Sequence, residues 1–434
     1  MTVVVTDWAT LDADARRRLL QRPATADDAA LRKDVIDILA TVRNSGDEKV
    51  RELTLSLDKV DVSDARVSTA EIDTAMQSVD PDAIDAIDTA IVNVRRFHEQ
   101  QLPRDISIET MPGVRCERVT RALRAVGLYV PAGTAPLPSA AIMLAVPAAI
   151  AGCPVRVLCT PPRSDGRADP AVLVAASRAG VTDIFKIGGA QAIAAMAYGT
   201  ETVIKVDRIF GPGNAWVTCA KSIVAGDSNG AAIDMPAGPS EVLVIADEHA
   251  SAEFVASDLL AQAEHGTDSQ VILVTTSPAL AARVSDTIEE QLATLSRERI
   301  ARDALRHARA IVVDDLGMAI EVSNSYAPEH LILQCRNGRN LLPDIRNAGS
   351  VFIGEWSPEA VGDYCSGTNH VLPTYGYARS YSGLGVDQFM RSMTVQELSR
   401  EGLESLGQTV VTLAGLEGLD GHAASVTRRL EKPA

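Results

Sequence analysis

Glu329 and His330 stand side by side in the run Tyr326-Ala327-Pro328-Glu329-His330-Leu331. Pro328 cannot donate a backbone hydrogen bond and disfavours helix at Ala327. The apolar run Leu331-Ile332-Leu333 behind them reads as a buried strand. The two residues therefore sit at a loop-to-strand junction, where consecutive side chains can face one cleft. Histidine titrates near neutral pH and a carboxylate can tune or relay its proton, so such a pair suits proton transfer. A surface glutamate beside a satisfied histidine is the plainer alternative, and these two residues alone leave it open.

Three further stretches gather polar chemistry. In Ala261-Gln262-Ala263-Glu264-His265-Gly266, Gln262 and His265 are three apart at the end of an expected helix and share a face. Gly362-Asp363-Tyr364-Cys365-Ser366-Gly367-Thr368-Asn369-His370 is a loop dense in donors and acceptors. Glu417-Gly418-Leu419-Asp420-Gly421-His422 adds a carboxylate and an imidazole near the C-terminus. Each has a plain reading too: helix-terminal polarity, a hydrogen-bonded turn and a solvated tail. With the opening pair, these stretches hold four of the seven histidines (His265, His330, His370 and His422). No cysteine sits at ligand spacing, which argues against a structural thiolate zinc site. An N/O set drawn from Gln262, His265, Asp363 and His422 would suit a catalytic divalent ion, zinc first, although glutamine is an uncommon zinc ligand.

Nucleotide binding is written less clearly. The G-x-G-x-x-G fingerprint is absent: Trp216 follows Gly211-Pro212-Gly213 where its last glycine belongs, and Gln388 follows Gly383-Leu384-Gly385. What remains are three glycine-containing turns, each after an expected strand and before a helix. They are Tyr129-Val130-Pro131-Ala132-Gly133-Thr134, Gly188-Gly189-Ala190-Gln191 and Gly211-Pro212-Gly213-Asn214. Turns of this kind lie at the carboxyl ends of parallel strands, where helix N-termini can hold phosphate.

The elements that must carry these residues follow from periodicity. Residues 12–21, 29–42 and 71–101 read as helices, the last broken at Pro81. From residue 125 to 224, short Val/Ile/Leu runs alternate with Ala-rich helical stretches, which argues for parallel strands with crossover helices. Strands are expected at 125–130, 155–159, 183–187 and 203–209. A second series follows, with strands at 242–245, 271–274, 310–313, 331–333 and 351–353. The link Met235-Pro236-Ala237-Gly238-Pro239 separates the two. Helices are expected at 393–406 and 423–430.

The chain has 434 residues, enough for two or more domains. Only 4% is aromatic, so Ala, Val, Leu and Ile must build the core. A net charge of −16 with no basic stripe disfavours nucleic acid or an anionic membrane as partner. The longest apolar run, residues 140–151, is too short for a membrane span, and no signal peptide is evident. Six scattered cysteines without a Cys-x-x-Cys pair read as a reduced, cytoplasmic protein.

Taken together, these motifs resemble the histidinol dehydrogenase family. The residues that carry the resemblance are Gly127 to Pro131, Gly211 to Asn214, Ala237 to Glu241, Ala261 to His265, Ala327 to Leu331, Gly362-Asp363 with Gly367 to His370, and Glu417 to Asp420 with His422. Their order and spacing match over nearly the whole chain. The resemblance implies a zinc-requiring homodimer that oxidises L-histidinol to L-histidine with two NAD, the last step of histidine biosynthesis. It implies an α/β fold of two incomplete Rossmann-like parallel-sheet domains, aldehyde-dehydrogenase-like, with small helical terminal segments. The expected division is an N-terminal helical arm (1–25), a zinc/substrate domain (26–128 and 241–380), an NAD-binding domain (129–240) and a C-terminal helical segment (381–434). By the same resemblance, Gln262, His265, Asp363 and His422 match the zinc set, and Glu329 and His330 the proton-transfer pair. Ser240, His370 and Glu417 match substrate contacts, which His330 and the zinc ligands share. Tyr129, Gln191 and Asn214 match NAD contacts. The C-terminal segment is expected to cross to the other subunit, where Glu417 and His422 would complete the site.

Three positions depart from the usual family pattern: Ala132 where glycine is frequent, Cys365 where a smaller residue is frequent, and Thr267 where proline is common. None removes a proposed ligand or base. A zinc hydrolase using the same ligands, with Glu329 activating water, is the competing expectation. It leaves the three glycine turns without a role. A non-catalytic metal-binding regulator is a third, opposed by the open, polar ligand set.

Overall fold

A computed structural model describes residues 4–23, 29–132, 135–181, 183–236 and 238–432. Gly133, Thr134 and Ala237, which belong to two of the motifs above, lie outside the described residues. Among the described residues the chain builds two parallel sheets and one antiparallel sheet.

The larger sheet has the strand order Val5–Asp7, Arg309–Val312, Gln270–Thr275, Glu241–Ala246, His330–Gln334 and Ser350–Ile353, all parallel. Its central strands are buried along their whole length. That is the signature of parallel strands covered on both faces, and it explains why their sequences read as unbroken apolar runs rather than alternating ones. The second sheet has the order Asp183–Lys186, Val155–Thr160, Ala125–Tyr129, Arg208–Phe210 and Ala232–Ile233, also parallel. The helix Pro138–Ile150 is almost wholly buried beside it, with the helices Pro81–His98 and Pro170–Arg178 packed against it.

Four sequence expectations need correction. First, residues 393–406 are not one helix. Met390–Leu398 is a strand that pairs antiparallel with Val114–Ala122, which pairs in turn with Ile106–Met111. The helix Arg400–Leu416 begins only after it. Pairing over nine consecutive positions overrides a weak local helical pattern. Second, the N-terminal arm is not purely helical, because Val5–Asp7 adds an edge strand to the larger sheet. Third, the strand expected at 203–209 is only Arg208–Phe210. Fourth, the expected division of 26–128 from 129–240 cuts through the end of the strand Ala125–Tyr129, which is central to the smaller sheet. The helix Ala29–Leu53 packs on the helices Gly189–Tyr198 and Ala215–Ala225 of the same unit. Helix–strand alternation looks alike in both units, so periodicity cannot say which sheet an element joins.

Candidate active site

The pair at the strand start is shaped by what precedes it. The helix Leu316–Tyr326 ends in Ala327, which is left-handed (φ 56°). Pro328 follows, and the strand His330–Gln334 opens two residues later. This tight reversal turns both consecutive side chains inward. Glu329 and His330 are buried, with 3.6 Å between Glu329 Oε2 and His330 Nδ1. Gly349 lies against the turn, and a Cβ there would meet the Glu329 carbonyl at 2.6 Å.

Glu241, the first residue of the neighbouring strand, holds both. Its backbone N–H donates to Glu329 Oε2 at 2.8 Å, and its carbonyl oxygen lies 3.1 Å from His330 Nδ1. A carbonyl can only accept, so Nδ1 carries the proton and Nε2 is left for exchange. Nε2 is buried without a hydrogen-bond partner among the described residues, 3.4 Å from Asp363 Oδ1. Burial pushes the Glu329 carboxyl up to about 8. Burial alone would push His330 down, but the carboxylates of Glu359, Glu329 and Asp363 outweigh it and hold the imidazole well above its usual range.

The metal candidates come from two helix ends. Gln262 is buried on the last turn of the helix Ala252–Ala263, and His265 follows just beyond that helix. Asp363 lies on the short helix Glu359–Tyr364. Gly362 lets that helix approach the sheet, since a Cβ there would meet the Phe352 ring at 2.5 Å. Sequence reasoning missed Glu359, one helical turn before Asp363. It is buried, and one atom each from His265, Glu359 and Asp363 lie within 4.8 Å of one another. The Gln262 amide lies between Glu359 and the Glu241 N–H, one end of the group against each. Burial raises the Glu359 carboxyl well above its usual range. Asp363 is held low: the nearby imidazoles of His330, His370 and His265 overcome its own burial penalty.

The loop behind Asp363 is anchored on the other unit. Asn369 Nδ2 donates to the Met143 carbonyl at 2.8 Å, and Asn93 Nδ2 donates to the Cys365 carbonyl at 2.9 Å. His370 Nδ1 lies 2.8 Å from the Asp363 carbonyl, which leaves Nε2 as the second hydrogen-bonding position of the ring. Ser240 directly precedes Glu241, and its carbonyl accepts from the Gln270 N–H at 3.1 Å. Glu417 and His422 are not brought to this cluster within the chain. Both are exposed, in the hairpin of the helices Arg400–Leu416 and Asp420–Leu430.

Tyr129, Gln191 and Asn214 lie at the carboxyl edge of the smaller sheet. Tyr129 ends its strand, and its hydroxyl accepts from the Gly189 N–H at 3.0 Å. Burial pushes that phenol up to about 12. Gln191 is buried in the helix Gly189–Tyr198; its Nε2 donates to Asp58 at 3.2 Å and its Oε1 has no partner among the described residues. Asn214 caps the helix Ala215–Ala225 by accepting from the Val217 N–H at 3.1 Å. The turn before it is fixed by a buried ion pair. Lys221 donates to Asp234 and to the Gly211 carbonyl (2.8 Å), while Asp234 accepts from the Gly211 N–H (2.8 Å). Gly211 itself has φ 116°, a backbone region that side-chain-bearing residues rarely adopt. The larger sheet is used the other way round: Glu241 and His330 stand at its amino edge. Its carboxyl edge runs into Asp247, Thr276, Asp314 and Arg336 around an open cleft.

Comparison with known proteins gives one consistent answer. The family model described as Histidinol dehydrogenase matches residues 20–430. Histidinol dehydrogenase of Vibrio parahaemolyticus is 53% identical over 425 residues, covering 98% of both chains. That of Escherichia coli K12 is 53% identical over 426 residues, covering 98% of this chain and 97% of its own. The crystal structure of histidinol dehydrogenase from Elizabethkingia anophelis superposes with a TM-score of 0.95 at 44% identity, covering 99% of this chain and 98% of that one. With a buried Glu-His pair beside side chains that could hold a metal ion, and with these matches over nearly its whole length, the chain belongs to the histidinol dehydrogenase family.

Proposed function

We propose that this chain oxidises L-histidinol to L-histidine through L-histidinal, as a zinc- and NAD-dependent homodimer acting at the last step of histidine biosynthesis. The observation that carries the proposal is the convergence of Glu329, His330, Gln262, His265 and Asp363 at one end of the larger sheet, in a chain of this family.

The donor set fits a divalent cation: a neutral amide, an imidazole and carboxylates lie close together. The buried His330 Nε2 and Glu359 Oε2 have no hydrogen-bond partners among the described residues. Such atoms cost free energy unless a ligand completes them. Gln262, His265 and Asp363 would hold the ion, with His422 supplied by the second subunit. When bound, zinc would supply a Lewis acid that anchors the substrate. Tyr129, Gln191 and Asn214, at the carboxyl edge of the smaller sheet, would hold NAD, which would supply the hydride acceptor for each oxidation.

The chain's own residues then divide the proton work. His330 Nε2 removes the alcohol proton in the first oxidation, with Nδ1 fixed by the Glu241 carbonyl. Glu329 takes a proton from water as the aldehyde hydrate forms. His330 removes a hydrate proton in the second oxidation. Ser240, His370 and the partner subunit's Glu417 position the substrate. No cysteine is asked to act as nucleophile.

The test is absorbance of NADH with L-histidinol and NAD, before and after chelation. Two NADH per histidinol, lost on chelation and restored by zinc, is the expected result. No NADH from metal-replete protein would overturn the proposal in favour of hydrolysis.

A further inference from the structure

The backbone that holds Glu329 and His330 is itself held by a residue from the far N-terminal segment. Arg22 forms a forked ion pair with Glu241: Nε donates to Oε1, and Nη2 donates to Oε2 at 2.8 Å. Both side chains are nearly buried, at 11% and 2% exposure. The same Nη2 donates to the carbonyls of Tyr326 (2.9 Å) and Ala327 (3.2 Å). The guanidinium also stacks 3.9 Å over the Tyr326 ring. Arg22 thus touches both pieces of backbone that define the pair: the start of the strand Glu241–Ala246, and the left-handed turn at Ala327 that leads into Pro328-Glu329-His330.

Neighbouring contacts close the arrangement. The Tyr375 N–H donates to Glu241 Oε1 at 2.9 Å, and the Tyr375 hydroxyl donates to the Pro23 carbonyl. Tyr326 donates to Gln270 Oε1 at 2.8 Å, and Gln270 Nε2 reaches the Gln21 carbonyl at 3.4 Å. Residues 21–23 are therefore pinned across the amino edge of the sheet. A non-glycine residue held in the left-handed region persists only when its surroundings over-determine it. Two such residues, Ala327 and Tyr375, meet this one ion pair. Arginine is required by shape as well as charge, since a lysine offers no planar fork to serve a carboxylate and two carbonyls at once.

We propose that Arg22 is a positioning residue for the acid–base pair, acting through Glu241 and the Ala327 turn and not through substrate or metal. This rests on the proposed roles of Glu329 and His330. A misplacement of about 1 Å by a change away from the chemistry can cost about 10²-fold in rate.

The experiment is a double-mutant cycle on the zinc-replete full chain. Arg22→Ala is expected to lower kcat by about 10²-fold, with KM for L-histidinol changed less than about threefold and bound zinc retained. Added guanidinium should recover part of the lost turnover. In a His330→Asn background, Arg22→Ala should cost less than about threefold, because residues acting through one another do not add. Arg22→Lys, which keeps the charge and protects against failure to fold, should lose about tenfold. Wild-type turnover in both Arg22 variants would overturn the proposal. So would an equal loss in the two backgrounds, the mark of a purely structural role. If His330→Asn and Glu329→Gln themselves kept near-normal turnover, the acid–base roles would fail instead, and the two failures are told apart.

Discussion

His330 Nδ1 lies 3.1 Å from the carbonyl oxygen of Glu241, and that single contact fixes which ring nitrogen can exchange protons. Nε2 is thereby directed at Asp363 and the proposed metal ligands. Replacing the ring by an amide removes the titrating group but keeps a hydrogen-bond donor. His330→Asn is expected to retain zinc and fold and to lose about 10²–10⁴-fold in turnover. Steady-state kinetics with metal analysis on the same sample checks this, and near-normal turnover would sink the base assignment.

Glu329 accepts from the Glu241 N–H and sits beside His330, but its proposed task belongs to the hydrate. Glu329→Gln should therefore slow the oxidation of supplied L-histidinal more than the oxidation of L-histidinol to the aldehyde level. Single-turnover measurements of the two half-reactions make the comparison. Equal losses would count against water activation.

The exposed positions of Glu417 and His422 lead to a mixing experiment. His330→Asn and His422→Asn chains should each be nearly inactive alone. In a mixed dimer with shared sites, one site would be free of both changes. Random pairing gives about half mixed dimers, each with one intact site, so about a quarter of wild-type activity should return on reassociation. No recovery, with mixed dimers shown to form, would rule out a shared site.

Asp258, close enough to Glu359 for its charge to raise that carboxyl, offers a pH-dependent stability test beside the site. It is buried and accepts from Gln334 Nε2 at 3.2 Å. Burial raises its carboxyl to about 6. For a carboxyl raised on folding, its contribution is intact below the unfolded pKa of about 4 and is lost as pH rises through about 6. Asp258→Asn keeps an acceptor oxygen without the charge. The variant should gain little at pH 4 and about 1–3 kcal/mol at pH 8. Thermal unfolding at both pH values reads this out. An equal effect at both would show that the carboxyl does not titrate in this window.

Much of the fold was legible because parallel strands buried on both faces write themselves as short apolar runs, as in residues 242–245 and 271–274. The sheet of Ile106–Met111, Val114–Ala122 and Met390–Leu398 was not. Its first and last strands are exposed along almost their whole length, so no core-facing alternation marks them. At the site, Glu329, His330, Gln262, His265 and Asp363 stood out by type and spacing. Glu359 did not, since a glutamate after Pro358 looks like an ordinary helix start. Glu241 belonged to a quoted motif but received no role, because its contribution comes from its backbone. Arg22 carried no local signal, for its partners lie 219 and more residues away.

The two sheets are used from opposite ends. Tyr129 closes a strand, whereas Glu241 and His330 open theirs, so the carboxyl rim of the larger sheet carries none of the proposed chemistry. Exposed residues of that rim, such as Glu248 and Asn337, are natural attachment points for a fluorophore or an affinity handle. A label placed there is expected to leave turnover unchanged.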